Sequence, residues 1–152
     1  MQTYHTTHRV AHSADDMFKL VAAVEDYPMF LPLCDALTVR SREQQGTNEV
    51  LVADMTVAYK FFHETFTSRV TLNPDSHEVV VEHIDGPFKH LENRWRFHAQ
   101  GDGESEVDFY IAYEFGSRAM QMMMGAVFDK AFRKFVGAFE ERADQVYGVH
   151  AA

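Results

Sequence analysis

Val107-Asp108-Phe109-Tyr110-Ile111-Ala112-Tyr113-Glu114-Phe115-Gly116-Ser117 runs straight into Arg118-Ala119-Met120-Gln121-Met122-Met123-Met124, and the hydrophobic period changes at the join. Up to Phe115 every odd position is apolar or aromatic, while Glu106, Asp108, Ala112 and Glu114 take four of the interleaved places. A period of two is that of a strand with one buried face. Beyond Gly116, residues Met120, Met124, Val127, Phe128, Ala131, Phe135 and Phe139 fall on one side of a helix, with Lys130, Arg133, Lys134, Glu140, Glu141 and Asp144 on the other. Ser117 suits the N-cap, because its hydroxyl can accept from an orphan N–H of the first turn. At about 1.5 Å per residue, a helix reaching roughly Tyr147 is ~45 Å long, enough to cross the concave face of a twisted sheet.

Outward from this join, the period of two extends back to about residue 36. Leu51, Ala53, Met55, Val57 and Tyr59 share one parity, and so do Phe62, Phe66, Val70 and Leu72. Asn73-Pro74-Asp75-Ser76 and Ala99-Gln100-Gly101-Asp102-Gly103 are turns, with Val79-Val80-Val81 a further strand between them. Residues 2–11 alternate weakly, and Ser13 with Asp16 resembles a capping box that starts a helix with the apolar stripe Met17, Leu20, Val21 and Val24. Pro28 and Pro32 interrupt it, which predicts a turn or short broken helix over residues 26–34. The expected fold class is α+β, a curved antiparallel sheet of six to seven strands around a long C-terminal helix, with short helices after the first strand. One domain is expected over residues 1–152, its core about 3–147.

Hydrophobic residues make up 46% of the chain and charged residues 24%, a globular balance. No apolar run approaches the roughly 20 residues of a membrane span, and the start carries no leader signature, so a cytoplasmic location is expected. Cys34 is the single cysteine, which excludes an intramolecular disulfide. A formal charge of -9 opposes phosphate binding and argues against DNA as a partner. His5, His8, His12, His63, His77, His83, His90, His98 and His150 are scattered, without H-E-x-x-H or C-x-x-C spacing, so no metal is expected and most of these side chains should be solvated. Neither a G-x-S-x-G elbow nor a glycine-rich phosphate loop is present; no catalytic residue and no catalytic cofactor are assigned. Glu64 has the parity of Phe62 and Phe66. It either places a carboxylate in the interior, where burial would raise its pKa, or reaches water or an arginine at a strand end.

The chain holds 13 Phe and 8 Met. Large rings on a curved sheet hold a helix away from it and flexible Met fills irregular space, which suits a ligand cavity, although a solid core has the same apolar composition. Parity makes Phe62, Phe66, Phe109, Tyr113, Met120, Met124 and Phe128 candidates for the wall of such a cavity. Two segments bear on the choice. Tyr27-Pro28-Met29-Phe30-Leu31-Pro32-Leu33-Cys34 is an apolar loop stiffened by two prolines, a natural lid. In Asp85-Gly86-Pro87-Phe88-Lys89-His90-Leu91-Glu92-Asn93-Arg94-Trp95-Arg96-Phe97, a rigid Gly-Pro turn presents Phe88, and Leu91, Trp95 and Phe97 point away from Arg94 and Arg96.

These segments, with Tyr113-Glu114-Phe115 and a helix ending near Ala138-Phe139-Glu140-Glu141-Arg142-Ala143, resemble the coenzyme Q-binding START-domain family of the polyketide cyclase/dehydrase and lipid-transport superfamily. The resemblance covers about residues 3–147. It implies a helix-grip fold with a lipid-sized cavity, and ubiquinone or a related prenylated quinone as ligand, carried in support of respiratory electron transport. With no catalytic residue assigned, the protein is expected not to be an enzyme, with cyclase or dehydratase chemistry as a lesser alternative. Carried across, the resemblance puts Tyr27, Pro28, Phe30, Leu31, Pro32 and Cys34 at the cavity entrance and Gly86, Pro87, Phe88 and Trp95 at the opposite rim or wall. A lid touching the inner-membrane surface would accompany that role. The same family includes RatA, so the alternative function is binding to the large ribosomal subunit to block subunit association. Arg118, Lys130, Arg133 and Lys134 against Asp129 supply a local basic patch for rRNA phosphates.

Overall fold

The computed structural model describes residues 1–148. The sequence reading of His150 lies outside them. Seven strands, β1 (Gln2–Val10), β2 (Cys34–Gln45), β3 (Asn48–Tyr59), β4 (Phe62–Asn73), β5 (Glu78–Asp85), β6 (Phe88–Ala99) and β7 (Ser105–Phe115), form one antiparallel sheet. Their order is β1-β7-β6-β5-β4-β3-β2, so successive hairpins build a meander and β1 closes it by pairing with β7. Between β1 and β2 lie helix α1 (Ala14–Ala22) and a six-residue 3-10 helix, Val24–Met29. Helix α2 (Arg118–Tyr147) follows β7.

Local chemistry accounts for the boundaries. The Ser13 hydroxyl accepts from the Asp16 N–H at 3.1 Å and starts α1, and the Ser117 hydroxyl accepts from the Met120 N–H at 3.1 Å and starts α2. Pro28 falls inside the 3-10 helix, where the broken helix was expected. Of the expected stripe, Met17, Leu20 and Val21 are buried on α1 together with Phe18, and Val24 is buried at the start of the 3-10 helix.

α2 crosses the concave face of the sheet. Phe128 stands 6.0 Å from the rings of Phe62 and Phe66 on β4 and 5.3 Å from Phe115 on β7. Three turns on, Phe139 meets Trp95 on β6 at 5.0 Å. The far end of α2 is tied down by polar contacts: His8 Nε2 to Glu140 at 3.0 Å, buried His12 Nε2 to Asp144 at 2.6 Å, and the Tyr147 hydroxyl donating to the Asp16 carbonyl at 3.1 Å. His8 is exposed, and its ring is hydrogen-bonded. Among the described residues no helix is long and apolar enough to cross a membrane.

Candidate ligand cavity

A cavity of about 100 Å³ lies between the concave face and α2. Its floor is made by inward residues of the central strands, among them Met55, Val57, Phe66, Val81, Leu91, Trp95 and Ile111, with Phe88 at one end. α2 contributes Phe128, Ala131, Phe132, Phe135 and Phe139 at helical spacing. Tyr27, Leu31, Pro32 and Leu33 cover it.

This cover is held by its own backbone. The Leu31 N–H donates to the Tyr27 carbonyl at 2.9 Å, and the Ala58 N–H donates to the Leu33 carbonyl at 3.1 Å, which fastens the loop to β3. Leu33 adopts φ 68°, a left-handed turn residue that reverses the chain into β2. The Tyr27 hydroxyl donates to the Val21 carbonyl, and burial pushes its phenol far above the ordinary tyrosine range, so it stays protonated. Its ring sits edge-on to Phe139 at 5.3 Å, as Phe30 does at 5.0 Å. Cys34 is buried at the start of β2; burial and, secondarily, Asp35 raise its thiol to about 11.

Of the seventeen residues placed from sequence at the entrance, rim or wall, Cys34 and Gly86 do not line the cavity, and of the remaining fifteen Tyr27, Leu31, Pro32, Phe66, Phe88, Trp95 and Phe128 do. The other eight lie elsewhere. Pro28 is within the 3-10 helix, and Phe30 packs edge-on to Phe139 beneath the Arg142 guanidinium. Phe62 is buried against Phe128. The Pro87 carbonyl accepts the Gly116 N–H at 2.8 Å and joins the β5–β6 turn to the root of α2. Phe109 is enclosed by Tyr4, Trp95 and Phe135, and Tyr113 by Phe88, Phe115 and Phe132. Met124 is buried and Met120 half-buried where α2 begins. Parity gives the face a side chain occupies, not whether the space it faces is filled.

Glu64 resolves to its second alternative: it is exposed, and no carboxylate lines the cavity. The polar lining consists of Ser68, His83 and Asn93. Asn93 is engaged, its Oδ1 accepting from Trp95 Nε1 at 2.9 Å and its Nδ2 donating to the Tyr110 carbonyl at 3.0 Å. His83 was counted among the scattered, solvated histidines; it shares the parity of Val79 and Val81, which was the signal for its inward side chain. Phe132 was equally accessible to sequence reasoning, four residues beyond Phe128 on the same stripe.

Residues 10–140 match the family described as polyketide cyclase / dehydrase and lipid transport. The ribosome association toxin RatA of Vibrio cholerae is 33% identical over 91% of this chain and 93% of its own. The mitochondrial coenzyme Q-binding protein COQ10 homolog B of Xenopus laevis is 31% identical over 90% of this chain, which spans 55% of that longer protein. Among solved structures, an 18 kDa protein of Caulobacter crescentus is 32% identical, with a TM-score of 0.79 over 98% of this chain and all of that one. A START superfamily protein of Mycobacterium smegmatis shares the fold, with a TM-score of 0.79 at 18% identity over 95% of this chain and 98% of its own. The sheet gripping a long helix, the apolar cavity between them and this near-complete match agree: the chain belongs to the polyketide cyclase / dehydrase and lipid transport family.

Proposed function

We propose that this chain is a binding protein for an uncharged lipophilic molecule, ubiquinone or a related prenylated quinone, and that it works as a carrier rather than an enzyme. The observation that carries this is the lining: aliphatic and aromatic side chains with three neutral polar residues and no Lys, Arg, Asp or Glu. Such a surface solvates a hydrocarbon-rich ring and offers no charged group to polarise one. At about 100 Å³ the cavity is below the few hundred Å³ usual for an occupied pocket. Binding therefore widens it, and the part free to yield is the Leu31–Leu33 cover, since the opposite wall is the hydrogen-bonded sheet. Fully exposed Phe61 at the β3–β4 turn, with exposed Ile84, Met122 and Met123, gathers apolar surface at the end of the sheet where α2 begins, the end at which the protein would meet a bilayer to exchange ligand. Trp95, buried in the floor, reports occupancy. Titration with a short-chain ubiquinone is expected to quench its fluorescence saturably; quenching no different from that of free tryptophan would refute the reading.

A second reading, association with the large ribosomal subunit, is supported by the likeness to RatA across 91% of the chain and by the exposed face of α2. There Lys130 and Lys134 have no ion-pair partner among the described residues, while Arg133 is neutralised by Asp129 at 3.0 Å and lies over the Tyr4 ring.

A further inference from the structure

The three polar residues of the cavity differ in what they have left to offer a ligand. Asn93 is committed to Trp95 and the Tyr110 carbonyl. His83 is committed only in part: the Phe88 backbone bears on its ring, but the buried Nδ1 makes no hydrogen bond among the described residues. A buried nitrogen without a partner costs free energy in any fold, and on a residue that lines a cavity it leaves a hydrogen bond for a ligand atom to make. Ser68 lies directly opposite His83 in the β4–β5 register. Strand alternation turns both side chains to the concave face, so hydroxyl and imidazole make one polar spot on an apolar wall.

The surroundings hold this imidazole in place. The Phe88 ring meets it edge-on at 5.9 Å. Gly86 closes against it at φ 141°, where a Cβ would come within 3.2 Å of His83 Cε1 and 3.1 Å of the Phe66 ring. At this φ a side chain is strained, and its Cβ would push the His83 and Phe66 rings back by a few tenths of an ångström, so glycine lets the turn that presents Phe88 pack against the histidine. Burial lowers the imidazole pKa below its ordinary value, against the opposing pull of Asp85 and the Phe88 backbone. At neutral pH the ring faces the cavity uncharged, with one nitrogen a donor and the other an acceptor.

We propose that His83, beside Ser68, is the head-group site of the cavity, hydrogen-bonding one uncharged oxygen of the ligand, a ring carbonyl or hydroxyl. This rests on the carrier reading and narrows it to neutral, ring-bearing lipids. A carboxylate or phosphate drawn into this lining would lose its hydration and meet no cation. Fatty acids and phospholipids are thereby rejected.

Isothermal titration of the full chain with three probes tests this: 2-methyl-1,4-naphthoquinone, 2-methylnaphthalene, which keeps the ring frame without the oxygens, and oleate. The unmodified protein is expected to bind the quinone about five- to tenfold more tightly than the hydrocarbon, the effect of one hydrogen bond, and to leave oleate unbound. His83→Leu should reduce the quinone to the hydrocarbon's affinity while leaving the hydrocarbon within about twofold, and His83→Gln should retain part of the preference. An equal loss for both ring probes would mean that His83 only packs, and the assignment would fall. It would fall too if the unmodified chain bound quinone and hydrocarbon alike, or bound oleate as well as quinone, although the carrier reading would survive. Binding of none of the three would remove the carrier reading and this site together.

Discussion

Phe109 and Phe128 both point into the space between sheet and helix, yet they have different neighbours. Phe109 is wholly enclosed by side chains, whereas one side of Phe128 faces the cavity. Phe109→Ala is expected to cost the full core penalty, about 3–5 kcal/mol, and Phe128→Ala noticeably less, because fewer contacts are lost around an existing space. Denaturant unfolding of the two variants checks the ranking; equal losses would mean close packing on both sides of Phe128. Cys34 gives a second probe. Its thiol is raised to about 11, so thiolate is scarce near neutrality and its fraction climbs about tenfold per pH unit below that value. Alkylation of the native protein should be slow at pH 8, accelerate with pH up to about 11, and approach the rate of a free thiol on unfolding. At this scale the sequence was readable as to face: Phe66, Trp95 and Phe128 point inward as their parity requires. It did not distinguish cavity wall from solid core, because Phe66 and Phe109 obey the same alternation and differ only in what lies across from them.

The proline loop and α2 are the elements that enclose the cavity. Pro32 lines it and Pro28 stiffens the 3-10 helix leading to it. Pro28→Ala with Pro32→Ala should lower the melting temperature little but raise the ligand off-rate, since the prolines restrict the unordered states of a cover more than they add contacts. A large stability loss with an unchanged off-rate would make this loop a piece of core. On the helix, Ala131 lines the cavity, and Ala131→Leu should be accommodated within about 100 Å³ without loss of stability while competing with ligand. Most elements were legible in advance. β7 and α2 carry unbroken periods of 2 and 3.6, and serine caps mark both helix starts. β2 was not resolved as a strand of its own, because it is the sheet edge and after Cys34 its residues are exposed or half-buried, leaving little alternation to read.

For the molecule as a whole, a formal charge of -9 opposes any polyanion, so ribosome binding would have to run through the local patch on α2. Lys130→Glu with Lys134→Glu should abolish cosedimentation with the large subunit, and wild-type cosedimentation should weaken steeply with salt as counterion release predicts. Equal cosedimentation of both proteins across a salt range would reduce that patch to a solvated helix face. The antiparallel sheet around a terminal helix followed from the order of periods along the chain, but the pairing of β1 with β7 and the cavity's dimensions did not, the latter because they depend on how far Phe128, Phe132 and Phe139 hold α2 from the strands. What the cavity holds is therefore the most direct question. Protein purified under native conditions, extracted with organic solvent and analysed by mass spectrometry, is expected to release a neutral prenylated quinone in proportion to protein. Repeated extractions that yield no lipid, or only fatty acids and phospholipids, would contradict the account.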